Sequence, residues 1–295
     1  MDRLTSDAAR ADRANLVGSL WMVAAMAGFA VEDMFLKSAA ATVPIGQVMI
    51  WFGLGGSLIF AVIAVALGQS LLPHAVVERT MMVRNAFEIM GRLFFTLAIV
   101  LTPLSSATAI LQATPIVVVA GAALFFGETV GWRRWTAILL GLCGVLVILQ
   151  PGAESFSVLS ILAVLGMLGF AGRDLATRAA PKTMGWAVLG VWGFWMILVA
   201  GFGFSVWEGA AFVMPGAAWL PLALACLFGV LGYSSLTQAM RTGDVSAVTP
   251  FRYSRLLFGV GFGVVIFGES LEPNMIAGSV IVVASGLYIL ARGRQ

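Results

Sequence analysis

Apolar residues run along this chain in long blocks separated by short polar or charged spacers. Reading it for spans of about 20 mostly apolar residues, the length that crosses a hydrocarbon core, gives ten segments. They are Leu16–Leu36, Val43–Leu67, Asn85–Leu101, Ser105–Phe126, Trp135–Leu149, Ser157–Thr177, Gly185–Trp207, Trp219–Met240, Ser246–Phe267 and Asn274–Ala291. The blocks are too long for barrel strands and lack the alternation of lipid-facing and lumen-facing positions. Helices satisfy their own backbone in lipid, so the pattern predicts an all-α integral membrane protein with ten transmembrane helices.

The blocks are not independent. Met26–Ala39 (MAGFAVEDMFLKSA) returns as Met167–Ala180 (MLGFAGRDLATRAA), with Gly28 over Gly169, Phe29 over Phe170, Asp33 over Asp174 and Lys37 over Arg178. The same offset of 141 joins Gly91 to Gly232, Thr96 to Thr237, Ser105 to Ser246, Thr108 to Thr249, and Phe126-Gly127-Glu128 to Phe267-Gly268-Glu269. The chain is therefore one unit written twice. Residues 1–14 form an N-terminal tail, 15–150 the first repeat, 151–292 the second and 293–295 a short C-terminal tail.

Composition agrees with this reading: 60% hydrophobic residues, 11% charged and a mean hydropathy of +1.00 set the chain apart from soluble domains. The isoelectric point near 9.2 would suit nucleic acid, but the 17 basic residues sit between apolar runs rather than in one patch, so no nucleic-acid partner is implied. Cys143 and Cys226 lie inside apolar blocks and His74 in a polar linker, which leaves no disulfide framework, metal site or cofactor site. Arg10, Arg13 and the following apolar run imitate a signal peptide, yet cleavage near Ala25-Met26-Ala27 would strip a helix whose repeat mate stays in the chain.

Charge sets the expected orientation. With a cytoplasmic N-terminus, the inner spacers hold Arg3, Arg10, Arg13, Arg79, Arg84, Arg133, Arg134, Arg178, Lys182, Arg241, Arg292 and Arg294, against Lys37 alone outside. Outer spacers carry Glu154, Glu208, Glu269 and Glu272, and Trp132, Trp135, Trp186, Trp207 and Trp219 mark the interfaces. Both termini are then cytoplasmic and the lipid bilayer is the chain's surrounding partner. Each repeat has an odd number of helices, so the second enters the membrane upside down. Inverted repeats are a transporter architecture with a substrate site between the halves near the midplane.

The ten-helix count, the five-plus-five inverted duplication, Phe126-Gly127-Glu128-Thr129 echoed at Phe267–Ser270, and the glycine-bearing last helices at Gly141–Leu149 and Gly286–Leu290 add up to a resemblance. Over residues 15–292 the chain resembles the ten-helix EamA-type exporters of the drug/metabolite transporter superfamily. Within that group it looks like the bacterial aromatic amino acid exporters. The resemblance implies a bacterial inner membrane protein with a central cavity lined by the first four helices of each half. It supplies no site residues.

Those come from polar groups inside the apolar blocks, each costly unless paired or hydrated. Glu88, Arg92 and Thr96 share one face of the third helix. Glu88 and Arg92 either neutralise each other or place Arg92 on the cavity wall for a substrate carboxylate. Their mates are Gly229, Tyr233 and Thr237, so the charges exist in one half only. Tyr233, Thr237 and Gln238 form a polar patch in the eighth helix; Arg252, Tyr253 and Arg255 follow Pro250 in the ninth, and Gln112 lies near Pro115 in the fourth. Helices interrupted at matching places point to a binding site, although Arg252 and Arg255 could instead snorkel to the inner interface.

Glu32 and Asp33 are expected to close the first helix at its outer end, as a gate or paired with Lys37, and Arg173 and Asp174 to form an ion pair or gate at the inner end. Trp51, Trp192 and Trp195 suit aromatic packing better than a substrate platform. An enzyme finds no organised nucleophile, base or ligand cluster here, and no HExxH or GxSxG.

The first helix holds no acid from Leu16 to Val31, and the deep charges are mainly arginines, so a cationic drug would be repelled. The expected function is export of amino acids, with large apolar or aromatic side chains favoured; the alternative is another small anionic or neutral metabolite or drug. Glu88 is the one acid deep enough to carry a proton, and its pairing favours facilitated diffusion instead. No oligomeric state is set, a monomer being plausible.

Overall fold

The computed structural model describes residues 2–101, 110–149, 159–258, 261 and 273–292. Among them every regular element is helical. They are α1 (Asp2–Ala40), α2 (Ile45–Ala66), α3 (Arg79–Leu101), α4 (Thr114–Phe126), α5 (Trp132–Leu149), α6 (Ser160–Ala179), α7 (Trp186–Glu208), α8 (Trp219–Arg241), α9 (Val245–Val248) and α10 (Pro273–Arg292). A 3-10 stretch, Thr249–Tyr253, prolongs α9 and leads into helical residues 254–258.

Four stretches, Arg10–Ala40, Ile45–Ala66, Trp186–Glu208 and Gly216–Arg241, are long and apolar enough on their own to cross a membrane. Charges built into α3 and α6 lower their apolar average. Polar residues do not end these helices, because the neighbouring helices satisfy them. Thus α1 runs on to Ala40, so Glu32 and Asp33 lie inside it rather than closing it. In the same way α3 begins at Arg79 rather than Asn85, which draws Arg84 out of the polar linker and into the packed bundle. Ser105, Thr108, Glu154 and Phe267–Ser270 lie outside the described residues.

Among the described residues every extensive interface joins one half to the other: α1 packs on α8, α3 on α6, α2 on α7 and α5 on α10. The repeat turns α1–α8 into α6–α3 and maps the other two pairs onto themselves. In the α2–α7 pair, Gly46 lies against Ser205, Gly53 against Leu198 and Gly201 against Ile50, so the two helices run antiparallel. A twofold that exchanges antiparallel helices must lie across them. The second repeat is therefore inverted.

Two glycine contacts repeat this relation in detail. A Cβ on Gly28 would stand 2.9 Å from Gly232 Cα, and one on its repeat mate Gly169 would collide with the backbone of Gly91, the mate of Gly232. Close backbone approach through small residues is how helices associate in lipid, where there is no hydrophobic drive between them.

Two carboxylates staple helix ends across the halves. Glu208, the last residue of α7, accepts the N–H groups of Ile45 and Gly46 at 3.2 and 3.0 Å, satisfying orphan donors at the start of α2. Gly127, with φ of 65°, ends α4 in the left-handed conformation that glycine tolerates. The turn swings Glu128 onto the start of α9, where it accepts from Val245 and Ser246 at 3.2 Å each. This is the role of the Phe-Gly-Glu-Thr stretch in the first repeat.

Candidate functional site

The expected interruptions occur. Residues 110–111 are helical, Gln112 and Ala113 form a turn, and α4 restarts at Thr114 with Pro115 in its first turn. In the second half the 3-10 stretch Thr249–Tyr253, which carries Pro250, ends on the repeat mate of Gln112. Proline removes a helical donor and locks φ, which is why both helices change winding there.

Beside these breaks, α3, α6, α8 and α9 bring buried charges together. Glu88 is fully buried, and both its oxygens are taken by the second half: Arg173 Nη1 donates to Oε1 at 3.2 Å and Tyr233 Oη donates to Oε2 at 2.6 Å. Glu88 thus serves the junction between the halves, beyond the partnership expected within its own helix. Arg84, also fully buried, donates to Tyr233 Oη at 2.5 Å, Leu189 O at 3.1 Å and Thr177 Oγ1 at 3.0 Å. Arg173 donates from Nε to Asp174 at 2.8 Å, and Arg252 reaches the other Asp174 oxygen. Buried ion pairs of this kind persist because each charge is also hydrogen-bonded.

Arg92 lies about 6 Å from the centres of two rings, Phe52 (5.9 Å) and Phe170 (6.0 Å), one from each half. Its repeat mate is Tyr233. Asp33 is met by Arg255, so Asp33 and Asp174, which are repeat mates, are both held by arginines of the α9 segment. Both arginines considered for snorkelling thus meet carboxylates of the bundle; the Lys37 side chain, considered as a partner of Asp33, lies outside the described residues. Glu32 is only 2% exposed and sits across from Gly229.

Other expected site residues fall elsewhere. Tyr253 donates to Ile138 O at 3.1 Å and packs with Val145 and Val282, which ties α9 to α5 and α10 and turns the ring away from the charge cluster. Thr237 is buried and donates to Tyr233 O at 2.9 Å within its own helix. Gln112 is buried at the α4 turn and Gln238 is half-buried on α8. Thr96 lies in α3; its side chain is outside the described residues. Trp51 packs edge-on to Trp219 at 4.9 Å, and Trp192 donates to Leu71 O at 3.2 Å, so both serve helix packing.

Arg84 is the residue that the sequence reading missed. Its signal was there, since Arg84, Glu88 and Arg92 form a stripe at spacings of four, but a position beside Arg79 made it look like linker charge.

At the end of the bundle where α6 and α8 finish, a cleft of about 750 Å3 is lined by Arg178, Lys182, Arg241 and Asp244 among others. Arg241 is spent on the carbonyls of Ala180, Pro181 and Met184, which caps α6 and its connection. Arg134 pairs with Asp244 at 3.1 Å at the same end. Among the described residues no group of three or more His, Cys, Asp or Glu side chains could hold a metal ion.

The EamA-like transporter family matches residues 16–150 and again 158–291. A riboflavin transporter of Rhizobium johnstonii is 26% identical, the match covering 97% of this chain and 94% of that one. A pseudopaline exporter of Pseudomonas aeruginosa is 25% identical over 91% of this chain and 94% of its own. An S-adenosylmethionine uptake transporter of Rickettsia bellii is 25% identical over 70% of each. A solved structure superposes with a TM-score of 0.76 over 94% of this chain and 96% of that one at 18% identity, a likeness of fold.

Proposed function

Since the chain belongs to the EamA-like transporter family, whose members are multi-pass membrane carriers of small molecules and not enzymes, we propose that its cargo is a small anionic or neutral metabolite bearing an aromatic ring. The relatives named for riboflavin and pseudopaline favour this reading over one confined to amino acids. Aromatic amino acids remain one member of the wider class.

The observation that carries the proposal is Arg92 set between Phe52 and Phe170 where the halves meet. A guanidinium beside the half-buried Phe170 ring offers a planar group a stacking surface and offers a carboxylate or carbonyl a set of donors, while the buried Phe52 ring backs it. The charge balance points the same way. Arg84, Arg92, Arg173, Arg252 and Arg255 gather there with the four acids Glu32, Asp33, Glu88 and Asp174. That junction repels a cation. The cleft with Arg178, Lys182 and Arg241 is the cytoplasmic entrance in this proposal, and export is the direction it favours, in a bacterial inner membrane.

Vesicles containing the purified chain should exchange labelled riboflavin or tryptophan against unlabelled compound. Arg92→Ala should slow that exchange by ~10-fold or more, the worth of a well-placed charge-assisted contact, while the melting temperature stays near wild type. Exchange of a quaternary ammonium drug alone would overturn the proposal.

A further inference from the structure

Glu32 is the one candidate acid of the junction whose surroundings do not satisfy it. It is 2% exposed, and its Oε2 atom has no hydrogen-bond partner among the described residues. Across from it α8 presents Gly229, where even an added Cβ would stand 3.4 Å from that oxygen and 2.7 Å from the Phe52 ring. Cys226, one turn away, turns its thiol to Phe52 O at 3.7 Å. Arg92 from α3 is the charged group acting most strongly on Glu32, followed by Asp33 on its own helix, Arg255 from the α9 segment and Arg173 from α6. Arg173 is held by Glu88 and Asp174, and Arg255 by Asp33.

The duplication sharpens this. Glu32 is the repeat mate of Arg173, and Gly229 the mate of Glu88. Where one junction has an arginine facing an acid, its mirror has an acid facing a glycine. A carboxylate oxygen buried without a donor is unfavourable while it carries its charge.

We propose that Glu32 is a proton-binding site at the junction of the halves, occupied while they pack as in this structure and emptied when their separation admits water. The site stands on its geometry. Only its consequence, a link between cargo movement and a pH gradient, rests on the transport reading above.

Infrared difference spectra of the purified chain in lipid nanodiscs, titrated from neutral to alkaline buffer, test the site without any cargo. The C=O stretching band of a protonated carboxyl should be present in wild type, lost in Glu32→Gln and retained in Glu88→Gln. No such band in wild type, or its survival in Glu32→Gln, overturns the proposal. Because glutamine mimics the neutral acid, Glu32→Gln should fold; misfolding of Glu32→Gln while Glu32→Asp folds would mean that the negative charge is required, and would overturn it too. In vesicles that exchange labelled tryptophan or riboflavin, accumulation driven by an imposed pH gradient should be lost in Glu32→Gln while exchange persists. Failure of wild type to exchange either compound counts against the transport reading, and the infrared result still decides the site.

Discussion

The junction around Glu88 and the junction around Glu32 occupy mirror positions, yet one is saturated and the other is not. At the first, Arg173, Tyr233 and Arg84 converge on one acid and each other through hydrogen bonds of 2.5–3.2 Å. At the second, an acid lies across from Gly229 and the Phe52 ring. The backbone contacts are shared, as the Gly28–Gly232 and Gly169–Gly91 approaches show. Duplication copied the scaffold, and the two sides then took up different chemistry: one fastens the halves, the other is left responsive.

Removing Glu88 has the largest expected effect on the saturated junction. Glu88→Ala strands Arg173 with one acid fewer in a buried site and should cost about 3–5 kcal/mol of stability, read as a lowered unfolding temperature. Glu32→Ala should cost clearly less. Joint replacement of Glu88 and Arg173 by leucine should recover much of the single-variant loss, because a buried ion pair exchanged for packed apolar groups is often neutral.

Tyr233→Phe removes the hydroxyl that joins Arg84 to Glu88 and should cost about 1–3 kcal/mol, again by thermal unfolding. Asp174→Asn should destabilise more than Asp33→Asn. Asp174 is buried between two arginines, whereas the Asp33 side chain is 52% exposed and its pair with Arg255 is worth about 0–1 kcal/mol. Smallest of all, Arg133→Ala, on an exposed side chain stacked over Trp132, should leave both stability and exchange within about 0.5 kcal/mol of wild type. An Arg133 effect as large as that of Arg92 would mean that the junction is not where cargo passes.

Much of the fold could be read from the sequence because lipid imposes a length on apolar runs and because Met26–Ala39 repeats at Met167–Ala180. Helix ends were less legible where charges lie inside the bundle. Arg84 and Glu32 look like boundary residues by composition, and only the packing of the other half's helices makes them interior. The partners of Glu88 were hidden for the same reason: Arg173 lies 85 residues away and Tyr233 145, separations that spacing on one helix does not encode. Tyr253 was misplaced because the 3-10 winding of Thr249–Tyr253 alters which face each residue presents. An α-helical wheel does not apply there.

The paired glycine crossings place the closest approach of two helices part-way along α8. Gly232 stands nine residues from Arg241 and thirteen from Trp219, so the arms of α8 on either side are roughly 14 and 20 Å long at 1.5 Å per residue. A swing of about 10° at that point displaces the two tips by roughly 2 and 3 Å in opposite directions. A rotation about that point would carry the two ends of α8 in opposite directions, and a bulkier residue at Gly28 or Gly232 would hold the two backbones apart there.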